Sequence, residues 1–291
     1  MYYYIINPAS GSGRINKVQE KLKERLKELG IAGEFVKSTG AGDIAKLTRM
    51  AIEKDYKTIV AVGGDGTINE IINAMAGNTN VALGIIPLGS TNELAAMLGI
   101  KDWQSACNIL AARKIEKVDL GLINNNVFVT AVTIGFDNSL FELKKEHTGG
   151  FFNGLSSLTK LTGIVNSYKP VHLTLDFDSR YTVETDCFNF SLSNGAFYKY
   201  LPQHSKPQDN MLDAVLIGQL GFSDAIKYGQ GKLNLSKRPG QVSIFHTRKI
   251  KISSPKPVVV SADGKVVGET PVSIEVSDIK LRVIVSRKRQ F

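Results

Sequence analysis

Cysteine is scarce: the 291-residue chain holds two, Cys107 and Cys187, far apart in sequence. That excludes a disulfide-stapled scaffold, and the two are expected to be buried thiols in a reducing cytosol. Histidine is nearly as rare. The four, His147, His172, His204 and His246, are scattered. None stands at metal-ligand spacing from a cysteine, so no zinc centre is expected and each reads as a surface or satisfied side chain. No apolar run approaches the ~20 residues that cross a bilayer. The opening Met1-Tyr2-Tyr3-Tyr4-Ile5-Ile6-Asn7-Pro8 lacks a basic start and a long apolar segment, so it is not expected to be a secretory signal. Internal repeats and low-complexity segments are missing, and the single tryptophan, Trp103, reads as packing. Acidic excess is missing too. The formal charge is +9 and the pI about 9.4, which suits an anionic lipid, a nucleic acid, a polyanionic ligand or simply a basic surface. The only dense basic cluster is Arg287-Lys288-Arg289.

What is present is a soluble globular composition, 43% hydrophobic and 22% charged, in a chain long enough for one large or two ordinary domains. The first half alternates strand and helix patterns. Residues 2–6 and 33–37 read as strands. Ile15, Val18, Leu22, Leu26 and Leu29 mark one face of a helix closed by Gly30. Asp43 is expected to N-cap the next helix, with Ile44, Leu47 and Ala51 on its buried face. Residues 103–112 read as a helix, and Val118-Asp119-Leu120-Gly121 as a strand. This alternation predicts a doubly wound parallel α/β domain, whose ligands bind beyond the carboxyl ends of the strands. Asn7, Asp65 and Asn92 each follow a strand and are expected to converge there.

The texture changes after Gly121. Asn124-Asn125-Asn126 reads as a hairpin turn. Helical periods run through residues 137–167, with Gly149-Gly150 as a loop or hinge. Alternating strand patterns then dominate, interrupted by a helical stretch over residues 222–233. An antiparallel, β-rich sandwich domain is predicted. The boundary is expected near residues 121 to 127. This gives an α/β domain over 1–123 and a β-rich domain over 124–279, with residues from about 280 to 291 free to pack back on the first. Phe151 and Phe152, with Leu155, Leu158 and Leu161, read as core or as the lining of an acyl-chain groove.

The chain is organised around Thr58-Ile59-Val60-Ala61-Val62-Gly63-Gly64-Asp65-Gly66-Thr67-Ile68-Asn69-Glu70. A β-branched strand runs into a glycine turn, and Ile68, Ile71, Ile72 and Met75 then recur at helix spacing as far as Gly77. The glycines are expected to take positive φ and to let the backbone approach a ligand. A glycine turn opening a helix offers N–H donors and a positive dipole end to phosphate. Asp65 in that turn would repel phosphate unless a cation lay between, so Mg²⁺ is implied. A tight turn carrying a solvated Asp remains the plainer alternative. Leu83-Gly84-Ile85-Ile86-Pro87-Leu88-Gly89-Ser90-Thr91-Asn92-Glu93-Leu94 repeats the theme, with Glu93 as another metal-side carboxylate.

Together these turns resemble the bacterial diacylglycerol kinase and lipid kinase family. That family shares its nucleotide-binding architecture with sphingosine kinases and NAD kinases. The likeness also takes in Asn7-Pro8, Ser10-Gly11, Val118-Asp119-Leu120-Gly121, Ile134-Gly135-Phe136-Asp137, Ser193-Asn194-Gly195 and Ala262-Asp263-Gly264. It implies ATP in the interdomain cleft, contacted by Asn7, Ser10, Gly11, Ser12 and Gly13. Phosphates would lie on Gly63, Gly64, Asp65, Gly66 and Thr67, and Gly89, Ser90, Thr91 and Asn92 would form the opposite wall. Asp65, Glu93 and Asp119 would belong to an Mg²⁺-linked network. Asp263 would be the catalytic Asp that accepts the proton of a lipid hydroxyl. The implied partner is a lipid at an anionic membrane surface, met by a cytoplasmic, peripherally associated enzyme. No nucleic-acid partner is expected, and a homodimer is left open.

Three positions depart from the family pattern. Glu93 stands where Asp is usual. Lys265 replaces Glu in the Asp-Gly-Glu signature, where it could pair with Asp263 or bind phosphate. At Gln208-Asp209-Asn210-Met211-Leu212-Asp213 the family reads Asp-Asp-Gly, and some members hold a structural Mg²⁺ there. With Asn210 and nearby Lys206 no metal is expected at that turn, and Asp209 also reads as a turn residue capping its own backbone. The readings therefore stand as a lipid kinase, a nucleotide-binding relative with little or no kinase activity, and, third, an NAD kinase.

Overall fold

Hydrophobic alternation and turn residues lay out the first domain in chain order as β1 (Tyr2–Ile6), α1 (Arg14–Glu28), β2 (Gly33–Lys37), α2 (Asp43–Glu53), β3 (Thr58–Gly63), α3 (Asp65–Met75), β4 (Ala82–Pro87), α4 (Glu93–Met97), α5 (Trp103–Ala112) and β5 (Ile115–Val118). The computed structural model describes residues 1–78, 80–90, 92–145, 155–195, 208–235 and 240–287. The apolar strands β1, β3 and β4 are buried on both faces, as central strands of a parallel sheet must be. Gly84 lets α5 lie close on β4, where a Cβ would meet Leu110 Cδ2 at 2.5 Å.

The second domain follows as β6 (Gly121–Ile123), β7 (Asn126–Phe128), β8 (Ala131–Gly135), α6 (Phe136–Lys145), α7 (Leu155–Ser167), β9 (Val171–Phe177), β10 (Tyr181–Cys187), β11 (Asn189–Ser193), β12 (Leu212–Ile217), α8 (Phe222–Gly229), β13 (Val242–Thr247), β14 (Lys249–Ser253), β15 (Val259–Ala262), β16 (Lys265–Glu269) and β17 (Val272–Val276). The last strand, β18 (Leu281–Ile284), leaves it.

Three six-stranded sheets result, in the orders β2-β1-β3-β4-β18-β5, β10-β9-β14-β17-β6-β7 and β13-β12-β11-β8-β15-β16. The first is parallel from β2 to β18, and only β5 runs against its neighbour. The other two are antiparallel and enclose a shared core that includes Phe128, Leu175, Ile252 and Ile274 from one sheet and Ile134, Phe190, Leu192 and Val260 from the other. The outer face of the β13–β16 sheet is covered by α6, α7 and α8 through Phe136, Leu161, Ala225 and Tyr228. Covered on both sides, β11 and β12 are buried throughout. The outer face of the other sheet is solvated, and β14 alternates accordingly.

Several local expectations change. Gly42, not Asp43, is the N-cap of α2; Asp43 is its first residue and accepts from the Thr39 amide and hydroxyl. Those bonds, the hydroxyl first, hold its carboxyl below the usual Asp range. Asp119 and Leu120 are not strand residues but link β5 to β6. The helix begun at Phe222 ends at Gly229. Asn124 and Asn125 both take positive φ, the geometry of a tight hairpin turn between β6 and β7. Leu161 is core and Leu158 is exposed. Phe151, Phe152, the Gly149-Gly150 hinge, His147, His204 and Lys206 lie outside the described residues, as does most of the basic cluster at 287–289. Both cysteines are free and buried. Among the described residues no helix is long and apolar enough to cross a membrane.

Candidate functional site

In the parallel sheet β1 is followed outward by β2 on one side, while the chain proceeds through β3 and β4 on the other. The connections therefore part between β1 and β3, and a crevice opens beyond their carboxyl ends. Three loops meet there. Asn7 follows β1, and its Nδ2 donates to Thr67 Oγ1 at 2.9 Å. Ser10 Oγ lies 3.3 Å from the same hydroxyl and accepts from the Gly64 amide at 3.4 Å. Gly11, at φ +57, presses on the third loop: a Cβ would stand 2.0 Å from Leu88 O. Gly13, at φ +77, caps α1, and Arg14 reaches across to donate to Gly89 O at 3.2 Å.

The two glycine turns pack back to back. A Cβ on Gly89 would lie 2.4 Å from Gly64 Cα, and one on Gly64 would lie 2.9 Å from Gly89 Cα. A Cβ on Gly63 would meet Thr67 Oγ1 at 2.5 Å. None of Gly63, Gly64, Gly66 or Gly89 takes positive φ; Gly64 and Gly89 serve close approach of backbone to backbone, and Gly63 makes room for the Thr67 side chain. Gly66 alone is exposed, with open space over its Cα. Asn92, in the left-handed region, braces the second turn: its Oδ1 accepts from Gly89 N at 2.8 Å and its Nδ2 donates to Gly89 O at 2.9 Å. Asp65 Oδ1 accepts from the Leu94 amide at 3.2 Å, tying the start of α3 to the start of α4. Glu93 and Ser90 are exposed nearby. Glu70 turns away and accepts from Ala45 N in the first turn of α2. Thr91 and the Ser12 side chain lie outside the described residues.

Asp263 arrives from the other domain. It and Gly264 form the two-residue turn between β15 and β16, both at positive φ. A non-glycine residue held there costs of order 1–3 kcal/mol unless its surroundings fix it. Five donors do so. Asp263 Oδ2 accepts from Asn69 Nδ2 at 2.8 Å and Val129 N at 3.0 Å. Its Oδ1 accepts from Thr130 N at 2.9 Å, Thr130 Oγ1 at 2.5 Å and Ala131 N at 3.3 Å. Three successive amides thus face one carboxylate, an anion-binding nest. Asn69 belongs to α3, so the carboxylate also touches the helix that opens at the glycine turn. Lys265 is exposed and does not pair with Asp263.

Asp119 stands apart from this constellation. It is fully buried, paired with Lys280 Nζ and bonded to the Asn210 amide at 2.7 Å. Asn194 donates to its backbone carbonyl. Asp209 caps its own turn by accepting from Met211 N at 3.0 Å, and Asn210 takes the positive φ that glycine would otherwise supply. Asp137 is likewise structural, accepting from Tyr228 OH at 3.0 Å and Asn189 Nδ2 at 3.2 Å. Among the described residues no three His, Cys, Asp or Glu side chains form a metal-holding group. Two carboxylates open the helices at these turns, Asp65 on α3 and Glu93 on α4; Mg²⁺ ordinarily takes one or two carboxylates beside phosphate oxygens and water.

Sequence reasoning missed four residues here. Asn69 and Asn73 lie one turn apart on α3, and Asn73 brackets the Val127 backbone, accepting from its N at 3.0 Å and donating to its O at 3.1 Å. Two asparagines at i and i+4 beside an apolar helix face were a legible signal. Arg14 had a weaker one, as the basic end of the first loop. Lys280 had none. A depression of about 370 Å³ at the far ends of α2 and α3, lined by Arg49, Glu53 and Asn78 among others, shares no residue with the site.

Loops thus converge at the switch point of a parallel α/β sheet, and two antiparallel sheets that follow it bring a carboxylate to α3. Residues 1–123 match the diacylglycerol kinase catalytic domain. The chain is 26% identical over 275 residues to a diacylglycerol kinase of Bacillus subtilis (strain 168), covering 92% of this chain and 90% of that one. It is 25% identical over 274 residues to one from Staphylococcus haemolyticus, with 92% and 82% covered. A crystal structure of a diacylglycerol kinase from Bacillus anthracis superposes with TM-score 0.77 at 20% identity, covering 98% of this chain and 97% of that one. An NAD kinase from Archaeoglobus fulgidus in complex with ATP gives TM-score 0.54 at 17% identity, with 99% and 95% covered.

Proposed function

We propose that the protein is an ATP-dependent lipid kinase that transfers the γ-phosphate to the hydroxyl of a diacylglycerol-like lipid. The observation that carries this reading is the contact between Asp263 and Asn69, which sets an acceptor-side carboxylate against the helix of the phosphate-binding turn. The first turn of α3, the Asn7–Thr67–Ser10 cluster and Arg14 hold the phosphates. The acceptor oxygen forms a bond to the γ-phosphorus as the bond to the β–γ bridging oxygen breaks and ADP leaves. The hydroxyl proton passes to Asp263, which must give up one of its five donors to take it. Mg²⁺, held by Asp65 and Glu93, would neutralise charge on the phosphate oxygens. The +9 charge suits work at an anionic membrane surface in the cytoplasm.

Transfer of labelled phosphate from ATP to members of a lipid panel in mixed micelles tests the proposal. Binding of ATP with no transfer to any lipid would sink it. A second reading, nucleotide binding without transfer, is favoured by the full set of donors on Asp263 and by Lys265 standing apart from it. Lys265→Glu decides: a gain of transfer on restoring the acid supports this second reading for the native chain, and equal activity removes its basis. Formation of NADP from NAD and ATP would overturn both.

A further inference from the structure

We infer that Asn69 is a positioning residue that references the Asp263 carboxylate to the phosphate-binding turn. The inference rests on the kinase reading and deepens it, stating what the Asn69 contact with Asp263 does for the reaction. Asp263 is fixed within its own domain by Val129, Thr130 and Ala131, so the nest alone sets its orientation relative to the sandwich. Only the bond from Asn69 Nδ2, at 2.8 Å, relates it to α3. The two residues are 194 positions apart. Helix α3 begins at Asp65, one residue after Gly64, so Asn69 lies about one turn from the phosphate end. A rigid helix carries that spacing without slack, and in-line transfer loses rate steeply when reacting groups are misplaced by an ångström.

Asn73 makes the comparison possible. One turn further on, it clasps the Val127 backbone and so also joins the domains, but it does not touch Asp263. Both asparagines hold the sandwich to α3; only Asn69 holds the carboxylate.

The test is the pair Asn69→Ala and Asn73→Ala in the full chain, with kcat, KM for ATP and lipid, ATP affinity by calorimetry and thermal midpoint measured for each. Asn69→Ala is expected to lower kcat at least tenfold while ATP affinity changes less than threefold. Asn73→Ala is expected to lower the midpoint similarly and keep kcat within threefold. An equal fall of kcat in both variants, or an unchanged kcat in Asn69→Ala, overturns the inference. If the wild-type chain phosphorylates no lipid, the kinase reading itself has failed. The inference is then judged on an Asn69→Ala/Asp263→Ala double-mutant cycle in thermal unfolding: coupled shifts uphold the contact, and additive shifts overturn it.

Discussion

Gly64 and Gly89 owe their residue type to each other. Their Cα atoms meet where the two turns cross, so a methyl group on either must push one loop from the other. Gly89→Ala is expected to cost about 1–3 kcal/mol, the usual range for overpacking, and to weaken ATP binding because the crevice wall moves. Gly66→Ala meets open space and is expected to fold with an unchanged thermal midpoint, yet to bind ATP less tightly, since Gly66 lies in the first turn of α3, where the phosphates are proposed to bind. Thermal unfolding and ATP titration of the two variants separate the cases; a fully ATP-competent Gly89→Ala would contradict the geometry. At the same scale, Lys280 pairs with fully buried Asp119. Lys280→Met leaves a buried charge compensated, among the described residues, by the Asn210 amide alone. It is expected to cost at least about 2 kcal/mol, toward the lower end for a broken buried pair because Lys280 is partly exposed. Lys280→Arg should recover most of this in urea unfolding. The sequence marked the glycines, but the positive φ expected of them is not found, and crowding between residues 25 positions apart leaves no local pattern. It gave no sign of Lys280, since a salt bridge spanning 161 residues depends on the finished topology.

Elements were legible wherever a face had a single environment. Helix α5 was readable to its ends, and its start carries a reciprocal capping box: Ser105 N donates to Asp102 Oδ1 at 2.7 Å and Asp102 N to Ser105 Oγ at 3.1 Å. The Ser105 amide, then its hydroxyl, holds the Asp102 carboxyl below the ordinary Asp value. A carboxylate depressed in the folded state stabilises above its unfolded pKa, and that contribution disappears as pH falls through the folded pKa. Asp102→Ala is therefore expected to cost about 1 kcal/mol at pH 7 and progressively less below about pH 4. Urea unfolding across that range checks the sign; a cost that grows on acidification would refute it. Elements with divided environments were harder to read. Strand β10 is half exposed at a sheet edge and β16 is an exposed edge strand, so neither shows a clear period. The apolar stretch 127–134 is divided between two strands in different sheets, parted at Val129 and Thr130, where Asp263 docks.

The whole molecule is closed by a strand that crosses back. β18 lies between β4 and β5, parallel to the first and antiparallel to the second, with Val283 and Ile284 fully buried. The parallel sheet is thus incomplete without residues that follow the entire sandwich, and the stretch matched by the family model, 1–123, is not a closed folding unit. Without β18, one edge of β4 loses its ladder partner and β5 has no neighbour in the sheet. The exposed row of backbone donors and acceptors then costs free energy and invites aggregation. Residues 1–123 expressed alone are expected to show no cooperative thermal transition and no ATP binding. Appending residues 278–287 to that fragment through a flexible linker, which supplies the missing strand in cis, is expected to restore both, provided the linker spans the gap. Scanning calorimetry and ATP titration of the two fragments read the outcome directly. A cooperative, ATP-binding fragment 1–123 would show that β18 is an ornament of the sheet. Restoration only on adding it would mean that the crevice proposed for the nucleotide, built from residues before 123, is held in shape by the last strand of the chain.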